Sequence, residues 1–249
     1  MTGLRDRLAG GGLLGTFNLL PSPEIVELIA LAGFDVVIVD MEHGPHALGD
    51  VRRAVLAANA HGLHAVVRVP ALDPWCVGAV LDVGASGVLV PQVASAAEAA
   101  AVVRAARFAP EGDRGANPYV RAAGFGHREN WYAAANAEVA VLVMVEGRAA
   151  LAELDEILAV PGLDGVFLGP VDLSHSLGVP GRIGHPLVVE ALERAVGRAT
   201  ASGVATGVFT PGAESVAGWW RLGVRLVACG VDTAVVATAL TATVAAARA

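Results

Sequence analysis

Residues 36–43, VVIVDMEH, constrain the fold of this chain more than any other stretch. The apolar half is short and β-branched, as in a strand covered on both faces. It stops abruptly at Asp40, Glu42 and His43, before Gly44 and Pro45 turn the chain. Two later runs end in the same manner: residues 139–145 run into Glu146, and residues 166–168 pass through Gly169 and Pro170 into Asp172. Polar groups at the carboxyl ends of separate buried strands are how a parallel β/α barrel assembles a site on one face.

The rest of the chain supplies the repeat that such a barrel needs. Strands are expected at residues 13–17, 36–40, 65–69, 87–91, 139–145, 163–168, 204–209 and 226–229. Helices are expected at 23–32, 49–61, 73–83, 95–107, 148–158, 186–202, 213–222 and 233–247. Local signals mark several starts. Ser22 precedes Pro23 at a permitted first-turn position, and Ser95 with Glu98 has capping-box spacing. Eight strand–helix pairs favour a single (β/α)8 TIM barrel over residues 1–249 rather than a doubly wound sheet. Residues 110–130 break the rhythm: they are glycine-rich, carry three arginines and lack periodicity, which reads as a lid or binding loop, with a short helix expected at 130–135. Residues 172–185 read as an irregular insert. The last helix is rich in Ala, Val and Thr and has no polar stripe, so a neighbouring subunit is expected to cover it.

Composition removes several functions. With 249 residues and 55% apolar content, the chain can bury one large core. A net charge of −7 without a basic stripe argues against nucleic acid as partner. No uninterrupted apolar run suits a membrane span, and the amino terminus lacks a signal-peptide pattern. Cys76 and Cys229 lie far apart in apolar surroundings and read as buried thiols of a reducing, cytoplasmic protein. The chain has no lysine; every one of its 17 Lys or Arg positions is arginine. A lysine Schiff base, with substrate or with PLP, is therefore excluded, and so is a P-loop.

The strand-end residues leave alternatives open. Glu146 and Asp172, from adjacent strands, suit a hard divalent ion, or each caps a helix amino terminus. His43 reads as catalytic or merely solvated. Arg68 closes a buried strand and needs an anion: Asp40 or Glu42 in a structural pair, or the carboxylate and developing oxyanion of a bound oxoacid.

Taken in order, Asp40-x-Glu42-His43, Arg68-x-Pro70, Pro91-x-Val93 with Gln92, Arg114-Gly115, Glu146-Gly147, Gly169-Pro170-x-Asp172-Leu173-Ser174 and Gly230-Val231-Asp232-Thr233 carry a family resemblance. Over about residues 15–240 the chain resembles the metal-dependent (class II) pyruvate aldolases of the 4-hydroxy-2-oxoheptanedioate aldolase and 2-dehydro-3-deoxyglucarate aldolase family. The resemblance implies a divalent metal (Mg²⁺, Mn²⁺ or Co²⁺) held by Glu146 and Asp172 and chelated by pyruvate. It implies His43 as general base through a metal-associated water, Arg68 on the enolate and the aldehyde-derived oxygen, and backbone groups of Val171 and Asp172 on the pyruvate carboxylate. It also implies an aspartate that makes the histidine more basic, at Asp82. By strand count Asp82 lies at the far end of its helix, so the histidine it reaches belongs to another subunit. A homo-oligomer, in the form of a hexamer, is implied as well.

The chain departs from the family at Met144, where related aldolases carry a glutamine that contacts the oxoacid. Strand alternation puts Met144 on the same face as Glu146, so altered donor recognition is expected. With no imine available, a Lewis-acid metal must take the electrons of carbon–carbon cleavage beside a ketone. The expected reaction is reversible retro-aldol cleavage of a 4-hydroxy-2-oxoacid to pyruvate and an aldehyde. Acceptor choice is assigned to residues 117–130 and 209–212. Two rivals remain: a citryl- or malyl-CoA-type lyase, which needs a basic surface at the barrel mouth from Arg114, Arg121 and Arg128, and a catalytically decayed oxoacid-binding paralogue.

Overall fold

The computed structural model describes residues 3–249. Its strands are β1 (Leu13–Asn18), β2 (Val36–Asp40), β3 (His64–Arg68), β4 (Gly87–Val90), β5 (Ala140–Val145), β6 (Gly165–Leu168), β7 (Ala205–Thr210) and β8 (Leu226–Val231). They close in sequence order into a parallel barrel, with β1 paired to β8. Helix α1 (Leu4–Gly10) precedes β1. Helices α2 (Pro23–Leu31), α3 (Leu48–Ala60), α4 (Pro74–Asp82) and α5 (Ala96–Ala106) follow the first four strands in turn, and α6 (Trp131–Glu138) leads into β5. Then come α7 (Arg148–Ala152) and α8 (Leu154–Leu158) after β5, α9 (Pro170–Ser176) and α10 (Pro186–Ser202) after β6, α11 (Val216–Arg221) after β7, and α12 (Asp232–Arg248). The expected (β/α)8 barrel is what the chain forms.

Strand alternation divides the core in two. Val36 and Ile38, Val66, and Ala140, Leu142 and Met144 point into the barrel with Phe17 and Phe167. Val37, Val39, Val67, Val141, Val143 and Val145 point outward against the helices. Continuing the inward parity brings Asp40, Arg68 and Glu146 to the inner rim at the strands' carboxyl ends. There Asp40 stands directly opposite Arg68 in the β2–β3 register.

Helix α1 is absent from the sequence expectation. Its Leu4 and Leu8 are buried in the barrel's inner cluster, closing the amino end. One helix expected over 148–158 is broken at Glu153 (φ −95°, ψ 17°), whose carboxylate turns away to accept from the Ala96 N–H at 3.2 Å. The insert expected at 172–185 begins as α9, with Pro170 in the first turn. No residue of 110–130 lines the mouth of its own barrel. Arg121, Gly124, Phe125 and Arg128 instead line a hollow of about 500 Å³ beside His64 and Val139, at the amino ends of β3 and β5. Cys76 is buried as expected, whereas Cys229 is only half-buried.

Candidate active site

Asp40 organises the site. Fully buried at the end of β2, it accepts from Arg68 Nε at 2.9 Å and Nη2 at 2.6 Å. Its Oδ1 also accepts from the backbone N–H groups of Glu42 (3.0 Å) and His43 (3.3 Å), so the same carboxylate shapes the turn that presents both residues. Gly44 is obligatory in that turn, because a Cβ there would collide with the Asp40 carbonyl oxygen.

Arg68 is saturated. Besides Asp40, its Nη1 pairs with Glu42 Oε2 at 3.1 Å and touches Met144 Sδ at 3.7 Å, and its guanidinium lies 4.8 Å from the Phe17 ring centroid. Burial opposes the charge, but hydrogen bonding to Asp40 and the charges of Asp40, Glu42 and Glu146 outweigh it. The net effect raises the Arg68 pKa above the ordinary arginine value. Both structural partners proposed from the sequence are thus engaged.

Glu146 follows β5, and its Oε1 accepts from the Gln92 N–H at 2.7 Å. Gln92 adopts a left-handed φ of 56°, unusual for a residue with a side chain, and its Nε2 donates to Glu42 Oε1 at 3.2 Å. It therefore bridges two acids, a role the sequence reading missed; a glutamine in a strand-to-helix loop carries no signal of its backbone conformation. A Cβ at Gly169 would press on Glu146 Oε2 at 2.8 Å and Met144 Cε at 3.2 Å, so a side chain there would displace both. Burial above all, then the charges of Asp172 and Glu42, push the Glu146 carboxyl up to about 7, against the pull of the Gln92 N–H and Arg68.

Glu146 and Asp172 line one hollow of about 280 Å³ with Gln92 and Gly147. The helix-cap alternative fails for both. The N-cap positions of α7 and α9 are Gly147 and Gly169, which have no side chain to offer. The donor set is all carboxylate, and the electrostatic crowding around Glu146 is what a divalent cation would relieve, so the residues fit such an ion. Among the described residues no three His, Cys, Asp or Glu side chains group to enclose a metal. Two carboxylates would thus leave positions to water and substrate, the usual manner for Mg²⁺.

The adjoining mouth cavity, about 410 Å³, is lined by Asp40, His43, Arg68, Met144, Val171 and Asp172, with Phe17, Leu19, Phe209 and Val231 opposite. The structure thus gathers every candidate but Asp82 around these two hollows. His43 is open to solvent at 62% side-chain exposure, its Nε2 3.9 Å from Glu42 Oε2. Asp82, at the last turn of α4, is remote and pairs with Arg114 Nη2 at 2.6 Å. Arg114 itself is buried over the Phe108 ring, 4.4 Å from its centroid. Of the two segments assigned to acceptor choice, Phe209 lines the mouth, whereas Arg121, Gly124, Phe125 and Arg128 of the other line the hollow at the opposite end of this barrel.

A profile of the family described as HpcH/HpaI aldolase/citrate lyase matches residues 13–239. The chain is 40% identical over 233 residues to a pyruvate aldolase of Rhizobium etli, covering 94% of this chain and 92% of that one. It is 38% identical over 226 residues to a hydroxypyruvate/pyruvate aldolase of Roseobacter denitrificans, covering 90% and 88%. Among solved structures, an HpcH/HpaI aldolase/citrate lyase family protein from Burkholderia cenocepacia aligns with a TM-score of 0.94 at 37% identity over 99% of both chains.

Proposed function

Since the chain belongs to the HpcH/HpaI aldolase family and is a carbon–carbon lyase, we propose that it joins and cleaves 4-hydroxy-2-oxoacids, with pyruvate or a related 2-oxoacid as donor and an aldehyde as acceptor. The observation that carries this reading is the convergence of Glu146 and Asp172 on one hollow beside Arg68. A divalent ion held by the two carboxylates would act as the electron sink for enolate formation.

The chain's own residues do the rest. Arg68, fixed by Asp40 and Glu42, offers its positive charge to the enolate and to the aldehyde-derived oxygen. His43, at the open rim, takes the proton of the C4 hydroxyl through a water in the cleavage direction and returns it in synthesis. Backbone groups at Val171 and Asp172, in the first turn of α9, grip the oxoacid carboxylate. Met144 touches Arg68 where the family has an amide, so donor binding loses a hydrogen bond and favours a less polar 2-oxoacid. Restoring the amide, Met144→Gln, should lower the KM for pyruvate. The decisive experiment is proton exchange: the pyruvate methyl group should exchange with solvent deuterium in the presence of Mg²⁺ or Mn²⁺ and stop on adding EDTA. Exchange that persists in EDTA contradicts the reading.

The CoA-lyase alternative finds no basic anchor at this chain's own mouth apart from Arg68: Arg114 is buried against Asp82, and Arg121 and Arg128 lie around the hollow at the strands' amino ends.

The acting species is a homo-oligomer. From Thr233 onward every residue of α12 is exposed, including Val235, Leu240 and Val244, although the helix carries charge only at Asp232 and Arg248. The position an eighth helix would take between α11 and α2 is left with Leu28, Leu31, Trp220 and Leu222 exposed. A second copy of the chain that exchanges α12 satisfies both faces, and Asp82 then acts on the histidine of a neighbouring subunit. A hexamer is the assembly we expect, for which light scattering is the direct measurement. No helix among the described residues is long and apolar enough to cross a membrane, and we place the enzyme in the cytoplasm.

A further inference from the structure

We propose that Arg114 is a positioning residue of the aldol reaction, holding the Asp82 carboxylate in the orientation it needs to accept from the imidazole of His43 on a neighbouring subunit. The inference rests on the aldolase reading and on its pairing of Asp82 with His43 between subunits, and adds the group that holds the acid. In cleavage His43 gains the proton of the C4 hydroxyl. A carboxylate fixed beside the ring sets its tautomer and carries the opposite charge.

Asp82 has little to hold it within its own helix. It is the last residue of α4, where the negative end of the helix dipole disfavours a carboxylate. Its side chain is 32% exposed and free to change rotamer without a partner. Two arginines that follow α5 remove that freedom. Arg114 Nη2 donates to Asp82 Oδ1 at 2.6 Å, and Arg121 Nη1 donates to the carbonyl of the next residue, Val83, at 3.0 Å. One carboxylate oxygen is thus engaged, and Oδ2 accepts from no other group among the described residues. An imidazole N–H can occupy that position.

Arg114 has the setting of an anchor rather than of a surface pair. Its side chain is only 1% exposed, and its guanidinium lies 4.4 Å from the Phe108 ring centroid and 5.8 Å from that of Trp131. Those two rings meet edge-on in a small buried cluster with Ala123 and Ala135, and the Arg114 N–H donates to the Arg107 carbonyl at 2.9 Å. The cation therefore cannot swing away from Asp82. This burial is costly. It lowers the Arg114 pKa against the pull of Asp82, and Nε and Nη1 find no partner among the described residues. An apolar side chain would fill the same space among aromatic rings at less expense to stability. What the guanidinium supplies that an apolar group cannot is a fixed Asp82.

The test uses the intact protein with pyruvate, an aldehyde and Mn²⁺, assembly being confirmed by light scattering. Arg114→Met should lower kcat about thirtyfold and leave the pyruvate KM within about twofold, because Asp82 acts on the base and not on the donor. Arg114→Lys should keep about a third of the parent's kcat, since the pair needs only one donor. Added to Asp82→Ala, Arg114→Met should lower kcat no further. Mixed, dissociated and reassembled, Arg114→Met with His43→Ala should regain turnover, because some sites then combine native His43 with native Arg114 and Asp82. Arg114→Met with Asp82→Ala should give no more than the mean of the two. If Arg114→Met does not assemble, Arg114→Gln replaces it with the same mixing outcomes expected. Parental kcat in the assembled variant, a loss confined to KM, or a gain in the second mixture but not in the first overturns the proposal. Exchange of the parent's pyruvate methyl protons with solvent deuterium then leaves the aldolase reading standing, and absence of both exchange and turnover in the parent overturns both.

Discussion

Arg68 donates to Asp40 through both Nε and Nη2 across the β2–β3 register, and Asp40 Oδ1 also accepts from the backbone N–H groups that shape the turn carrying Glu42 and His43. One ion pair therefore fixes both the cation and the positions of two of its neighbours at the barrel rim. Such a pair is costly to break from one side, because the remaining charge stays buried.

Arg68→Met should consequently lose about 3–5 kcal/mol of stability and at least about a hundredfold in kcat. Arg68→Lys should keep part of the stability but little of the activity, since an ammonium cannot span both oxygens of Asp40 and reach Glu42. Urea unfolding and steady-state kinetics measure the two losses. A methionine variant as stable as the parent would show that the pair does not hold the turn.

Glu146→Gln separates stability from function at the second rim position. Burial and the neighbouring acids disfavour the Glu146 charge, so removing it should raise the Tm of the metal-free protein. The parent should gain about 2.7 kcal/mol when Mn²⁺ is present at a hundred times its Kd, and the variant should gain little. Thermal melts with and without Mn²⁺ check both statements.

Asp82 and His43 lie at different ends of one subunit, and we expect them to meet between subunits. Asp82→Ala and His43→Ala should each lower turnover by about a hundredfold or more. Mixed, dissociated and reassembled, the two variants should recover activity, because some interfaces then combine both native residues. No recovery, with reassembly confirmed by light scattering, would place Asp82 in a purely structural pair with Arg114.

Removing residues 233–249 should convert the assembly to monomers or to aggregate, by stripping away the apolar helix while leaving its docking groove exposed. Sedimentation velocity reads the outcome. A truncated chain that keeps the parent's assembly state would show that α12 is not the contact.

His64 supplies a pH dependence remote from the chemistry. Burial, and secondarily the charge of Arg7, hold its pKa below the ordinary 6.5, opposed by Asp35; its Nδ1 lies 3.3 Å from Ser86 Oγ. The unfolded chain therefore binds a proton first as pH falls. The contribution of neutral His64 is fully present above about pH 6.5 and is lost between that pH and its lower folded value. Urea midpoints should decline over this window in the parent and decline less in His64→Gln.

The residues alone established the eight-fold strand–helix alternation, because buried parallel strands demand short apolar runs and each run here ends in punctuation. They also marked Glu146, Asp172, Arg68 and His43 as candidates, since polar groups at such strand ends are costly unless used. Lysine's absence left no side chain for a lysine imine, without any coordinates. Only the tertiary structure decided that Arg68 has both Asp40 and Glu42 as partners, that Gln92 bridges two acids in a left-handed conformation, and that Arg121, Phe125 and Arg128 lie at the amino ends of the strands. The reason is range. Periodicity and punctuation record the state of a residue and its near neighbours, whereas partner choice depends on register between strands distant in sequence. The side on which a loop lies is likewise set by which barrel end its flanking helices reach.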